Sequence, residues 1–228
     1  MRNPVFPLVS ARRFCLALIV ALTLFAGAAS SWALQFDRSA LIRYTQEKHP
    51  AHSAARLQQW FGLLDRSVAL EAHQAKLAAV NRFWNATIRE DADSVIWNQE
   101  DYWATPLETL SRGIGDCEDF VIGKYFSLVH LGVPADRLRL IYVRAKLNGQ
   151  SIAHMVLGYY ERPDAEPLIL DNLRDSIQPA SRRRDLTPVF SFNADGIYVA
   201  GATTRSPVDR ISRWQGLLLR MQEEGFQP

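Results

Sequence analysis

The dipeptide Asn148-Gly149 constrains the fold of this chain more than any other feature. Asn-Gly between two runs of alternating apolar residues is a two-residue hairpin turn, because both residues tolerate the left-handed backbone that such turns require. It joins a strand over 138–146 to a return strand over 152–160. A turn over 162–167 leads to a third strand over 168–173, and 190–192 pairs with 197–200 around the turn 193–196. Before Gly132-Val133-Pro134 the period is different. Residues 36–89 read as helical, with Asp37 capping a helix over 38–47 that His49-Pro50 stops. Leu57, Trp60, Phe61 and Leu64 recur at helical spacing and mark a second helix. Leu70, Leu77, Val80, Phe83 and Trp84 mark a third. Thr105 or Pro106 opens a short helix reaching Ser111, and another runs over 120–131 with Phe120, Phe126, Leu128 and Leu131 toward a core. Ser206-Pro207-Val208-Asp209 reads as the cap and first turn of a last helix, which presents Ile211, Trp214, Leu218 and Met221 on one face to about Glu224. N-terminal helices, then an antiparallel sheet, then a C-terminal helix make an α+β domain.

The first residues stand apart. Arg2, Arg12 and Arg13 precede an apolar run over 15–29, and Ser31-Trp32-Ala33 offers small residues at the −3 and −1 positions. This is the pattern of a secretory signal over 1–33, cleaved after Ala33, with the domain over 34–228. The alternative is an uncleaved anchor, for which the run is short. Cys15 opens the apolar run instead of closing it, which argues against a lipoprotein. Removing the signal lowers the 26 basic side chains by these three, to 23 against 24 acidic ones. The basic balance of the full chain therefore gives nucleic-acid binding no support, and the cleaved form is not expected to be an integral membrane protein. Cleavage also takes away Cys15 and leaves Cys117 as the lone thiol. An exported protein with one cysteine makes no internal disulfide, so a thiol retained in an oxidising compartment points to chemistry.

That thiol sits in Gly113-Ile114-Gly115-Asp116-Cys117-Glu118-Asp119-Phe120. A Gly-rich turn delivers it to a helix start, with Asp116 as N-cap and Glu118 and Asp119 in the first turn. Free N–H groups and the helix dipole at such a place favour a thiolate. The three carboxylates oppose it: one negative charge about 6 Å away costs a thiolate roughly 3 kcal/mol at an effective dielectric of 20. A bound divalent cation with oxygen ligands would neutralise them. The partners are His154 in the return strand and Asp171 in the next. A turn near 164–165 makes them neighbours, with His154 on the face of Val156 and Gly158, and Asp171 on that of Ile169 and Leu173. Inside apolar strands both are costly unless paired, and pairing orients the imidazole as a base. Arg182-Arg183-Arg184 reads as a solvated loop.

The order of helix-borne Cys, strand-borne His and strand-borne Asp is similar to the papain-like transglutaminase core. Val80-Asn81-Arg82-Phe83-Trp84-Asn85, Asp101-Tyr102-Trp103-Ala104-Thr105-Pro106, Gly115-Asp116-Cys117-Glu118-Asp119, the His154 strand and Leu170-Asp171-Asn172-Leu173 resemble more closely the bacterial transglutaminase-like cysteine proteinases. The resemblance covers about residues 81–173. It implies a papain-like, transglutaminase-like core and a periplasmic cysteine endopeptidase with Cys117, His154 and Asp171 as its triad. Such an enzyme cuts a large surface adhesin near its N-terminus after a di-alanine, releasing it and dispersing biofilm. The resemblance further implies a calcium requirement, and sequestration by the periplasmic domain of an inner-membrane receptor that senses cyclic-di-GMP. Asp116 and Glu118 match the family's calcium ligands; Asp119 is a further candidate and Asp101 a fourth. The backbone N–H of Cys117, with the indole N–H of Trp103, is the expected oxyanion hole. Without the resemblance the residues reach a secreted cysteine acyl-transfer enzyme. A transglutaminase passing the acyl group to an amine is one rival, and a non-catalytic binding module of the same fold is another.

Overall fold

The computed structural model describes residues 34–194, 196–199, 206–208 and 211–227; residues 1–33, read above as a signal, lie outside them. The helical half comes first: α1 (Arg38–Lys48), α2 (Ser53–Ser67), α3 (His73–Thr87), the single turn α4 (Asp93–Ile96), α5 (Pro106–Arg112) and α6 (Cys117–His130). Two-residue strands β1 (Gln35–Phe36), β2 (Arg89–Glu90) and β3 (Ile114–Gly115) are interspersed. The sheet half follows as β4 (Leu138–Leu147), β5 (Gln150–Tyr159), β6 (Leu168–Leu170), β7 (Gln178–Pro179), β8 (Leu186–Asn193) and β9 (Gly196–Val199). Helix α7 (Ser212–Glu224) and strand β10 (Phe226–Gln227) end the described chain.

Six strands form one sheet in the order β7-β6-β5-β4-β8-β9, every neighbour antiparallel. Asn148 and Gly149 both have positive φ, as the hairpin between β4 and β5 requires. Successive residues face opposite sides. Leu138, Leu140, Met155, Leu157 and Tyr159 join the main core under the helices, while Ile141, Val143, Val156 and Ile169 form a second apolar cluster on the other face. The short parallel pair β2–β3 ties the segment before α4 to the turn before α6. At the other end of the domain, β1 pairs with β10.

Two expectations change. The last helix begins at Ser212, not Ser206; Ser206 instead makes an isolated antiparallel bridge to Ile197 of β9, so it does not cap the helix. Strand β6 ends at Leu170, so Asp171 stands just past the ladder and not inside it.

Helix α6 is the buried axis of the helical half. The indole N–H groups of Trp60 and Trp84 both donate to Ser127 Oγ, at 2.8 and 3.0 Å. Trp84 packs flat on Gly123, where a Cβ would lie 2.4 Å from the ring. Gly123→Ala is therefore expected to destabilise the domain by about 2 kcal/mol or more through overpacking, read as a lower denaturation midpoint.

Candidate active site

The turn that delivers Cys117 is built from both sides. Thr105 caps α5, accepting from the Glu108 N–H at 3.0 Å, while the Glu108 carboxylate accepts from the Thr105 N–H at 2.8 Å. Gly113 ends α5 in the left-handed conformation. A Cβ there would meet the Arg56 guanidinium at 2.7 Å, and that guanidinium donates to the carbonyls of Leu110 and Ser111. At Gly115 a Cβ would come within 2.9 Å of the Asp119 carboxylate. These two glycines let the chain turn tightly into α6, whose first residue is Cys117. Its backbone N–H is among those an α-helix leaves without an internal acceptor.

The half-buried Cys117 thiol donates to Glu118 Oε2 at 3.0 Å. Burial pushes its pKa well above the ordinary thiol value, and the Glu118 and Asp116 carboxylates add to the rise. The helix dipole is thus outweighed, contrary to the expectation of a favoured thiolate. One contact works the other way: the Met155 N–H reaches the sulfur and favours its charged form. A backbone N–H points within the sheet plane, and β4 pairs along the whole of β5, so the sulfur sits at the opposite edge of β5, beyond the end of β6.

His154 precedes Met155 and is 4 % exposed. Its Nε2 lies 2.8 Å from Asp171 Oδ1, a diagonal pairing across β5 and the end of β6. Burial alone would raise the Asp171 pKa, but hydrogen bonds from His154, Arg183 and the Leu173 N–H outweigh it and hold it at about 2. An ionised carboxylate only accepts, so Nε2 carries the proton and Nδ1 is the nitrogen left for a thiol.

Arg183 corrects the reading of the basic run as a solvated loop. It is 2 % exposed, and its Nη2 donates to Asp171 Oδ2 at 2.6 Å and to Asp185 Oδ2 at 2.8 Å. Nothing in the basic run distinguishes Arg183 from Arg182 and Arg184. Arg183→Met would leave Asp171 a buried charge short of a partner, and is expected to cost about 3–5 kcal/mol of stability. The sign of the pH dependence follows from the depressed pKa. The Asp171 contribution is complete above about pH 4 and is lost as pH falls toward 2. Acid denaturation of wild type and variant should therefore converge at low pH.

The acids beside Cys117 divide into two groups. Asp93, Asp116 and Asp119 each bring a carboxylate oxygen to within 4.8 Å of the others. Glu118 instead groups with Cys117 and Asp116. Asp101 pairs with Arg213 at 2.8 Å and accepts the Trp103 indole N–H at 3.1 Å. That indole, 2 % exposed and stacked on Phe192, is committed to Asp101 in this conformation. In the three-aspartate group, Asp119 is fully buried and accepts from the Ala104 N–H at 2.8 Å, and Asp93 accepts from the Tyr102 N–H. The buried Asp93 Oδ1 and Asp116 Oδ1 have no hydrogen-bond partner in the protein. Burial, then mutual repulsion, pushes Asp116 up to about 10 and Asp119 well up; burial takes Asp93 to about 6. Clustered carboxylate oxygens with unpartnered lone pairs fit a hard divalent cation. Sequence reasoning missed Asp93. Its signal was the acid-rich Glu90-Asp91-Ala92-Asp93, but only the β2–β3 pairing brings that segment to α6.

A model described as bacterial transglutaminase-like cysteine proteinase BTLCP matches residues 62–184. No curated protein sequence matches the chain. Among solved structures, Legionella pneumophila LapG is 38% identical over 81% of this chain and 96% of that one, with a TM-score of 0.70. Its EGTA-treated form matches at 37% identity over 83% and 100%, with a TM-score of 0.72. Its calcium-bound form matches at 38% over 81% and 99%, with a TM-score of 0.69. With the family match spanning the thiol, the imidazole and the carboxylate, and this likeness running through most of both chains, the chain belongs to the bacterial transglutaminase-like cysteine proteinases.

Proposed function

We propose that this protein is a calcium-dependent periplasmic cysteine endopeptidase that cleaves the N-terminal region of a large surface adhesin, at a di-alanine, and so releases it from the cell. The observation that carries the catalytic part is the placement of Cys117 at the edge of β5 beside a His154–Asp171 pair held by Arg183. In this reading Cys117 Sγ attacks the scissile carbonyl. His154 Nδ1 takes the thiol proton and then hands it to the leaving amine; Asp171 and Arg183 keep the ring oriented. The Cys117 N–H stabilises the oxyanion. Asp93, Asp116 and Asp119 hold calcium, and Glu118 lies close enough to the group to feel it. When bound, the ion supplies positive charge next to a thiol that burial and carboxylates otherwise keep protonated. Calcium-bound and EGTA-treated forms of a 38%-identical relative support the choice of metal.

The adhesin substrate, the cyclic-di-GMP receptor as sequestering partner and the periplasmic location follow from the family resemblance and from the export signal. Among the described residues no helix is long and apolar enough to cross a membrane. One incubation tests the proposal: purified protein with the N-terminal fragment of an adhesin encoded nearby, with and without calcium. A single cut at Ala-Ala that requires calcium is expected. Glutamine–lysine crosslinks without cleavage would make it a transglutaminase, and no reaction with a thiol of ordinary reactivity would make it a binding module. The exported form should start at or near Leu34 by mass spectrometry; an intact Met1 in the membrane fraction would overturn the location.

A further inference from the structure

A polar cleft of about 520 Å³, lined by none of the triad residues, is formed by the end of α1 and the loop after it, strand β2, the end of α4, and α5. Three of its residues carry a buried polar atom with no hydrogen-bond partner among the described residues: His49 Nε2, Trp97 Nε1 and Ser111 Oγ. Ser111 as a whole is 2 % exposed. An indole N–H can only donate, a serine hydroxyl can donate, and a neutral imidazole donates from Nε2 in one tautomer. A buried donor left unpaired costs free energy, so three in one cleft call for an acceptor.

The charges of the cleft point the same way. The Arg112 guanidinium lies 4.0 Å over the Trp97 ring, and neither Arg112 nor Lys48 makes a side-chain hydrogen bond or salt bridge among the described residues. The acids of the cleft are already engaged. Asp91 pairs with Arg89 at 2.8 Å, and Glu108 accepts from the Thr105 N–H and the Tyr102 hydroxyl, both at 2.8 Å. The spare charge is therefore positive and the spare hydrogen-bonding groups are donors. A phosphate group, which only accepts and carries negative charge, matches both. A tetrahedral ion is a few times the size of a water molecule, which takes about 30 Å³ of liquid, so the cleft has room for an organic group beside it. The walls also lead to the three-aspartate group. The Trp97 N–H donates to the Asp93 carbonyl at 2.7 Å, and the Trp97 ring lies 4.6 Å from that of Tyr102, whose own N–H donates to the Asp93 carboxylate. The N–H groups of Arg89 and Asp91 donate to the carbonyls of Gly113 and Gly115, in the turn that ends at Asp116.

We propose that this cleft binds a small phosphate monoester, and that its occupancy braces α4 and β2 and so tightens calcium binding at Asp93 and Asp116. The site is independent of the protease reading, whereas its effect on the metal rests on the calcium site proposed above. The probes are glycerol 3-phosphate, inorganic sulfate and glycerol. The first measurement is made on the full domain in EGTA, so that no anion binds through calcium. It follows the indole N–H resonance of Trp97 by NMR, identified by its loss in Trp97→Phe. Glycerol 3-phosphate should shift that resonance saturably and glycerol should not. Arg112→Gln should weaken the binding by about tenfold or more, since hydrogen bonds to charged groups are the strong ones. Sulfate should bind more weakly than the ester; equal affinity overturns the choice of an ester over the free anion. A Trp97 resonance that ignores all three probes, or that responds equally to sodium chloride at the same ionic strength, overturns the site. The second measurement is calcium affinity by calorimetry, compared at equal free calcium. Saturating glycerol 3-phosphate should tighten it by about fivefold or more in wild type and leave it unchanged in Arg112→Gln, and calcium should tighten the ester by the same factor. An unchanged calcium affinity in wild type overturns the bracing even where the ester binds. A protein that binds the ester and never binds calcium overturns the bracing together with the metal reading, and leaves the cleft site standing.

Discussion

Cys117→Ala is expected to lose cleavage by roughly 10⁴-fold or more while keeping its fold. The fold should survive because the half-buried thiol makes only two hydrogen-bonding contacts, to the Glu118 carboxylate and from the Met155 N–H, and no core packing depends on it alone. Circular dichroism and the unfolding midpoint should therefore stay close to wild type. His154→Ala should fall as far, since it removes the imidazole that pairs with Asp171. Asp171→Asn should keep much of the geometry and still lose most of the rate, because an amide no longer dictates which ring nitrogen holds the proton. The check is single-turnover cleavage of the adhesin fragment by each variant. A Cys117→Ala protein that cuts at the wild-type rate ends the nucleophile assignment.

Removal of calcium is expected to have the next largest effect. Without a cation, burial and mutual repulsion favour protons on the three-aspartate group, on Asp116 above all. Binding must expel them, so affinity should increase with pH, and calorimetry in buffers of different ionisation enthalpy should detect proton release. Chelation should slow both cleavage and Cys117 alkylation. Asp93→Asn should weaken calcium binding by about a hundredfold or more, since even groups behind the ligands contribute 10–100-fold. Glu118→Gln should behave differently. It removes a charge that holds the proton on the thiol, so alkylation in chelator should become faster, not slower. If cleavage and alkylation ignore strong chelation, the acids are ordinary first-turn residues of α6.

Most of the domain is legible in the sequence because its signals are local. Helical spacing locates α1 to α3, the Asn148-Gly149 turn sets the β4–β5 register, and the glycines before Cys117 mark a forced turn. The hairpin geometry also brings His154 and Asp171 together, since nearby turns fix strand pairing. The rest depends on distant contacts. Asp93 reaches the other two aspartates through a two-residue parallel pair, too short to leave a periodic trace. Arg183 is singled out from its neighbours only by burial against Asp171. The start of α7 is not legible at Ser206, because Ser-Pro suits a helix cap and a bridged extended segment alike, and the bridge to Ile197 decides between them.

The β1–β10 pair has a consequence in time as well as in space. Gln35 and Phe36 lie beside Gln227 and Phe226, so the first strand of the domain waits for the last. Phe36 also stacks on Trp60 at 5.2 Å and meets Phe226 edge-on, so this waiting residue belongs to the aromatic core under α6. A chain that emerges N-terminus first can pack its helices and zip its hairpin early. It cannot seal that core until Phe226 and Gln227 are free to pair, and a nucleophile mounted on α6 reaches its finished setting only then.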